Sequence, residues 1–240
     1  MEKLFKLPNI MINPIVDVII PAFNEENAIG RVINEVPKEI VRDIIVINNN
    51  STDQTSTIAK DASATVLDEL KKGYGNACLK GLSYLHAKSI KPDIVVFLDA
   101  DYSDYPEEIA EIINPIISQN KDLVIGSRTL GKKEKGAITP QQIVGNWLAT
   151  FLLKLFYGVK YSDLGPFRAI KYDSLLVLNM KDQTYGWTVE MQLKAAKLKL
   201  NTCEVPVSYR NRIGHSKISG TVKGSIGAGY KIITTIFKYL

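Results

Sequence analysis

Asp99 and Asp101 stand two residues apart at the end of the apolar run Ile94-Val95-Val96-Phe97-Leu98. Such a pair suits a hard divalent cation, Mg²⁺ or Mn²⁺: Mg²⁺ prefers oxygen ligands and is usually held by one or two carboxylates plus the oxygens of a substrate phosphate. The chemistry first suggested is the binding of a metal-chelated nucleotide. An Asp-x-Asp pair also serves as a solvated turn, because aspartate readily bonds its own backbone, so the surrounding residues decide between the two readings.

Four other polar clusters fall in order along the chain: Pro21-Ala22-Phe23-Asn24-Glu25-Glu26, Asn49-Asn50-Ser51-Thr52-Asp53, Lys72-Gly73-Tyr74-Gly75-Asn76 and Gly126-Ser127-Arg128. Most of them follow apolar, β-branched runs. Val16 to Ile20, Ile44 to Asn48, Ala64 to Leu67, Ile94 to Leu98 and Leu123 to Gly126 read as strands. Helices are expected up to about Val36 and over about 53–60, 76–88 and 107–119. This alternation predicts an α/β fold, a mostly parallel Rossmann-like sheet with helices on both faces. In such a sheet ligands gather at the carboxyl ends of the strands, where these clusters lie.

The second half is less regular. Gly131 to Gly136 carries charges and glycines that bury no face, and reads as a mobile lid or acceptor loop. Ile143 to Val159 reads as a helix with apolar residues around most of its circumference, interrupted by Asn146 and Lys154 and too short to span a membrane. A strand at 167–171, a helix at about 188–198, a strand at 202–209 and an aromatic, glycine-containing segment at 220–240 complete the pattern.

The chain has 240 residues, 45% of them hydrophobic, enough for a substantial core. A net charge of +5 suits an anionic substrate or an anionic membrane surface, and no nucleic-acid partner is expected. Only Cys78 and Cys203 are present, which argues against a disulfide framework or zinc site and for a reducing, cytoplasmic compartment. Residues 1–14 lack the apolar core and cleavage site of a signal peptide and are expected as an N-terminal arm. Residues 15–240 are expected to form one domain, a nucleotide half to about 128 followed by an acceptor half.

The five ordered clusters resemble the family 2 glycosyltransferases of the GT-A fold, over nearly the whole chain. The resemblance places a nucleotide sugar, a UDP- or GDP-sugar, against Pro21, Ala22, Asn24, Glu25 and Asp53, with Lys72 and Gly73 at its border and Asp99 and Ala100 beside it. Asp53 is the expected acceptor for the base or ribose. The family usually has an acidic residue where Asn48 stands, so that contact is altered here. Asp101 is the expected direct metal ligand, Asp99 a ligand or a ribose contact, and His215 a candidate contact to metal or diphosphate. Arg128 offers a forked donor to phosphate oxygens.

Three later segments, Asp163 to Arg168, Trp187 to Met191 and Tyr209 to Lys217, resemble the polyprenyl- or dolichyl-phosphate sugar synthases. Arg168, Arg210, Arg212 and Lys217 are then candidates for the leaving diphosphate and an incoming lipid phosphate. The resemblance implies inversion by a single in-line displacement. A phosphate acceptor is already ionised near neutral pH, whereas a hydroxyl acceptor needs a base, for which Glu190 and Asp163 are the candidates. With a phosphate acceptor these two instead orient the donor sugar or bind Arg168. The rival readings are a transferase of the same fold acting on a soluble or polysaccharide hydroxyl, and a non-catalytic nucleotide-sugar binding protein. The 143–159 helix is either a buried core element or an interfacial one that holds the protein to the inner face of the membrane. The C-terminal segment could lie on that interface or mediate a homo-oligomer.

Overall fold

Runs of Ile and Val that can bury both faces form the centre of one sheet, and the computed structural model describes residues 14–214 and 222–240 around it. The first half alternates as expected: β1 (Val16–Ala22), α1 (Ile29–Glu35), β2 (Val41–Asn48), α2 (Thr55–Asp61), β3 (Thr65–Asp68), α3 (Tyr74–Ala87) and β4 (Ile94–Phe97). A 3₁₀ turn at Pro106–Glu108 leads into α4 (Ile109–Gln119) and β5 (Leu123–Ser127). The second half contributes α5 (Pro140–Tyr157), β6 (Arg168–Lys171), α6 (Tyr172–Leu178), α7 (Trp187–Lys197), β7 (Thr202–Pro206) and α8 (Val222–Lys238).

The sheet order is β3-β2-β1-β4-β6-β5-β7. β1, β2, β3 and β4 are parallel neighbours, whereas β6 runs antiparallel to both β4 and β5. Alternate residues of each strand enter opposite layers. Ile19, Ile45, Val95 and Phe97 pack with Cys78, Leu85, Leu153 and Trp187. Val18, Ile20, Val46 and Val96 pack with Ile29, Ile33 and Ile112. Burial on both faces is why these strands read as continuous apolar runs rather than alternating ones.

Two departures from the sequence pattern matter for the site. The helix α6 was not anticipated, because its seven residues are too few to show a period. Helix α5 begins three residues earlier than expected, at a capping box in which Thr139 accepts from the Gln142 amide and Gln142 accepts from the Thr139 amide. Only Ala149 and Leu153 of α5 are buried, while Ile143, Val144, Trp147, Phe151, Leu155 and Phe156 are exposed. The reading of α5 as a buried core helix is therefore not the one the fold adopts. Among the described residues no helix is long and apolar enough to cross a membrane.

Candidate active site

The carboxyl ends of β1, β2 and β4 open onto a cleft of about 340 Å³. Pro21, Ala22 and Glu25 form one side of it, Lys72 and Gly73 a second, and Asp99, Ala100 and Asp101 the floor. Arg212 reaches in from the far end of the chain. Nine of the residues singled out in the sequence thus converge, although they are spread over nearly the whole chain.

The floor is made by the abrupt end of β4. Asp101 Oδ1 accepts from the Ser103 amide at 3.0 Å and the Ser103 hydroxyl at 2.5 Å, which fixes the carboxylate, while its Oδ2 lies 3.0 Å from Arg212 Nη1. Arg212 Nη2 also lies 2.8 Å from Glu25. Asp99 Oδ1 is buried and has no hydrogen-bond partner among the described residues. Burial, and then the charge of Asp101, push Asp99 up to about 7. Asp104 is buried behind the pair with both oxygens unpartnered, and burial followed by the charges of Asp99 and Asp101 raises it well above the usual carboxylate range.

Asparagines and hydroxyls hold the walls. Asn24, at φ 53°, accepts from the Thr52 amide and donates its own amide to Ser51. Asp53 accepts from the Glu26 and Thr55 amides and from the Thr55 hydroxyl at 2.5 Å. Burial alone would raise Asp53, but these bonds outweigh it and hold the carboxyl below its ordinary range. Asn24 and Asp53 therefore stitch the first two loops together and do not line the cleft. The contacts this structure shows for Asp53 are those between the two loops.

Asn49, which opens the second of the ordered clusters but was given no role of its own, does line it. Its amide nitrogen donates to the carbonyls of Glu69 and Lys71, and its oxygen accepts from Gly73 N at 2.8 Å. The glycines of that loop are required by packing. A Cβ on Gly73 (φ 138°) would strike the Gln183 carbonyl, and one on Gly75 the Asp182 carbonyl. The close approach is to the segment before α7, from which Tyr185 enters the cleft. Across the mouth, Lys72 Nζ stands 5.1 Å from the Phe23 ring centre.

A second cleft, of about 520 Å³, lies between the 128–138 segment and the start of α5. Arg128 stands at its inner end, held by Asp163 through Nε at 2.8 Å, Nη2 at 2.7 Å and the amide at 2.8 Å. Burial works to lower Arg128, but the hydrogen bonds and charge of Asp163 outweigh it and raise the guanidinium, which stays a cation. Lys133 and Lys135 line this cleft opposite Ile138, Ile143 and Trp147. Asn146 ties α5 to the strand approach by donating to Ser162 O and accepting from Leu164 N. The Gly131–Gly136 segment is thus one wall of a cleft.

Several expected site residues go elsewhere. Arg168 is fully buried and donates to the carbonyls of Gly165, Leu164 and Thr188, so it ties loops together and meets no anion. Burial pushes it down to about 10. Arg210 is stacked between the rings of Tyr102 and Tyr105, at 3.3 and 4.3 Å, and paired with Glu35. Glu190 lines neither cleft. Its buried carboxylate accepts from the amides of Lys181 and Asp182 and from Tyr239, and pairs with Lys194. It is not placed to act as a base. His215 and Lys217 lie outside the described residues.

Among the described residues no three His, Cys, Asp or Glu side chains gather as a metal cage. A pair of carboxylates at the end of a strand, beside a cleft with a lysine and arginine, is instead the arrangement for a cation that arrives with an anionic ligand. Comparison with known proteins accords with this reading. The sequence pattern described as Glycosyl transferase family 2 matches residues 17–176. The chain is 31% identical, over 82% of its length and 86% of the relative's, to a UDP-N-acetylglucosamine--dolichyl-phosphate N-acetylglucosaminyltransferase of Methanococcus voltae. It is 29% identical, over 86% and 88%, to an undecaprenyl-phosphate mannosyltransferase of Micrococcus luteus. Among solved structures it resembles glucosyl-3-phosphoglycerate synthase of Mycobacterium tuberculosis in complex with Mn²⁺, UDP-glucose and phosphoglyceric acid, with a TM-score of 0.74, 20% identity and coverage of 94% of this chain and 79% of that one. That likeness bears out the expected GT-A fold, and the matched segment contains every strand end that builds the first cleft, so the chain belongs to glycosyl transferase family 2 and is a glycosyltransferase.

Proposed function

We propose that this glycosyltransferase moves a sugar from a nucleoside-diphosphate sugar, held with Mg²⁺ or Mn²⁺ in the first cleft, to a polyprenyl phosphate in the second, with inversion at the anomeric carbon. The observation that carries the acceptor is the composition of the second cleft. Arg128, Lys133 and Lys135 give it a cationic end and wall, and Ile138, Ile143 and Trp147 continue into the exposed apolar side of α5. A phosphate on a hydrocarbon chain matches both halves.

The residues fit a divalent cation. Asp101 already holds a cationic partner and Asp99 has an orphaned, buried oxygen, so Asp99 and Asp101 would hold the metal. When bound, the metal would supply charge neutralisation for the departing diphosphate. Arg212 is the cation of this chain poised beside the same group, and Lys72 borders it. Arg128, fixed from two sides by Asp163, orients the incoming phosphate.

No base is required, since a phosphate monoester is ionised near neutral pH. The carboxylates lining the second cleft are Asp163, committed to Arg128, and Glu134, which accepts from the Asn211 amide and side chain. A hydroxyl acceptor would need one of them released. The exposed rings of α5 and the nearby lysines support peripheral attachment to an anionic membrane face.

The test is transfer from radiolabelled UDP-N-acetylglucosamine, UDP-glucose and GDP-mannose, with Mn²⁺ or Mg²⁺, to undecaprenyl phosphate in vesicles or to 3-phosphoglycerate in solution. Label entering the organic phase is the expected result. Label only in the water-soluble product would overturn the lipid reading.

A further inference from the structure

We infer that Tyr239 and Lys231, on and just after the C-terminal helix α8, are positioning residues for the donor cleft, acting through Glu190 and Asp182. This rests on the reading of the first cleft as the donor site. The connection runs through two carboxylates. The Tyr239 hydroxyl donates to Glu190 at 2.6 Å, and Lys231 Nζ lies 3.0 Å from Asp182 Oδ2. Glu190 in turn accepts from the amides of Lys181 and Asp182, and Asp182 Oδ1 from those of Thr184 and Gly186. The two carboxylates therefore wind residues 181–186 into a fixed turn.

That turn is the surface on which the Lys72 loop rests. Gly75 N donates to Thr184 O at 3.2 Å and Asn76 N to Gln183 O at 3.0 Å, while Gly73 and Gly75 leave no room for a side chain between the two segments. The turn also delivers Tyr185 to the cleft, and the loop delivers Lys72, Gly73 and Tyr74. A wall of the donor cleft thus takes its shape from side chains that never touch the ligand. Tyr239 is itself well fixed, since Lys197 Nζ donates to its carbonyl and Lys194 Nζ lies 5.1 Å from its ring centre.

The helix providing this anchor shares the exposed apolar surface of α5. Phe156 and Phe237 meet edge to face at 5.4 Å, and the Tyr157 hydroxyl donates to Ile236 O. The same helix that anchors the turn thus also packs on α5, through contacts separate from those to the turn.

The experiment compares the wild type with Tyr239→Phe, which removes one hydroxyl, and Tyr157→Phe, which loosens α8 from α5 without touching the turn. Binding of UDP and of GDP with Mn²⁺ is titrated calorimetrically, and amide hydrogen exchange is followed at Gly75 and Asn76. In Tyr239→Phe the nucleotide that binds the wild type should bind about fivefold more weakly, the net scale of one ordinary hydrogen bond, and both amides should exchange faster. Tyr157→Phe should keep the wild-type Kd and exchange at those amides. Unchanged exchange and Kd in Tyr239→Phe, or equal effects in both variants, would overturn the inference. Failure of the wild type to bind either nucleotide would overturn the donor reading instead, and the exchange at Gly75 and Asn76 would still decide whether Tyr239 holds the turn.

Discussion

Arg212 Nη1 lies 3.0 Å from Asp101 Oδ2, so the carboxylate best placed to meet a metal is already neutralised by a cation drawn from more than a hundred residues away. The same guanidinium lies 2.8 Å from Glu25. On the proposed site, an arriving metal and the resident arginine would compete for one oxygen. Replacing Arg212 by Gln should therefore raise the affinity for Mn²⁺ alone by about tenfold, a coupling of ordinary size. Transfer should fall by about a hundredfold, because the departing diphosphate loses a cation. Calorimetric titration of Mn²⁺ without nucleotide, set beside kcat, checks both; weaker metal binding would contradict the competition.

Arg128 presents two nitrogens and its amide to Asp163, a geometry that lysine cannot reproduce. Arg128→Lys should lower kcat/KM for the lipid phosphate by about a hundredfold with nucleotide affinity intact. Asp163→Ala strands a buried guanidinium and should cost about 3 kcal/mol or more of stability. Steady-state kinetics with varied acceptor, and urea unfolding, are the measurements.

Gly75→Ala places a methyl group against the Asp182 carbonyl, a backbone atom that cannot swing aside as a side chain would. The Lys72 loop has to shift. We expect KM for the nucleotide sugar to rise by about tenfold, in line with a loss of about 1.4 kcal/mol of binding, while KM for the acceptor stays put. A rise in the acceptor KM alone would contradict the assignment of this cleft.

Glu190 gives the fold a pH dependence whose direction follows from its partners. Burial works to raise its pKa, but bonds from Lys194, Tyr239 and the amides of Asp182 and Lys181 outweigh it and hold it below the usual value. A depressed folded value means the stabilisation is fully present above the unfolded value of about 4.3 and is lost as pH falls through the folded one. Urea midpoints recorded downward from pH 6 should fall more steeply for the wild type than for Glu190→Gln below about pH 4.3. Parallel curves would show that Glu190 keeps its ordinary value.

Trp147 and Phe151 stack at 5.8 Å on the exposed side of α5. Trp147→Glu should abolish sedimentation with vesicles containing anionic lipid and leave the melting temperature within about 2 °C, since exposed substitutions rarely move stability by more than about 0.5 kcal/mol. Undiminished sedimentation would remove α5 from the membrane.

Much of the fold was legible because Val16 to Ala22, Ile44 to Ile47 and Ile94 to Phe97 are buried on both faces, and only a covered parallel sheet explains such runs. The loops of the first cleft were legible for the same reason, since strand ends place them. Arginines were harder. Arg168, Arg210 and Arg212 look alike as letters, yet one meets carbonyls, one meets two tyrosine rings and one meets Asp101. Their partners lie on other elements, and no spacing along the chain records that. Glu190 misled for the same reason, because the amides it holds belong to the turn before α7 and its other partner, Tyr239, lies at the end of the chain. The reversed direction of β6 was equally hidden: four residues pair the same way in sequence whichever way they run.

The hydroxyls of Ser127 and Ser162 lie 2.7 Å apart. Everything between them, including the lysine-bearing segment and α5, therefore leaves the sheet and returns to the same point. Such an excursion behaves as a cassette. Its attachments back to the rest of the fold are identifiable, and among them Ala149 and Leu153 enter the core, Asn146 binds Ser162 and Leu164, Tyr157 binds Ile236 and Arg128 binds Asp163. On the proposed assignment of the two clefts, a segment exchanged with those attachments kept would change the acceptor side and leave the strand ends of the donor side in place, which marks 129–161 as the segment to transplant when a new acceptor is wanted.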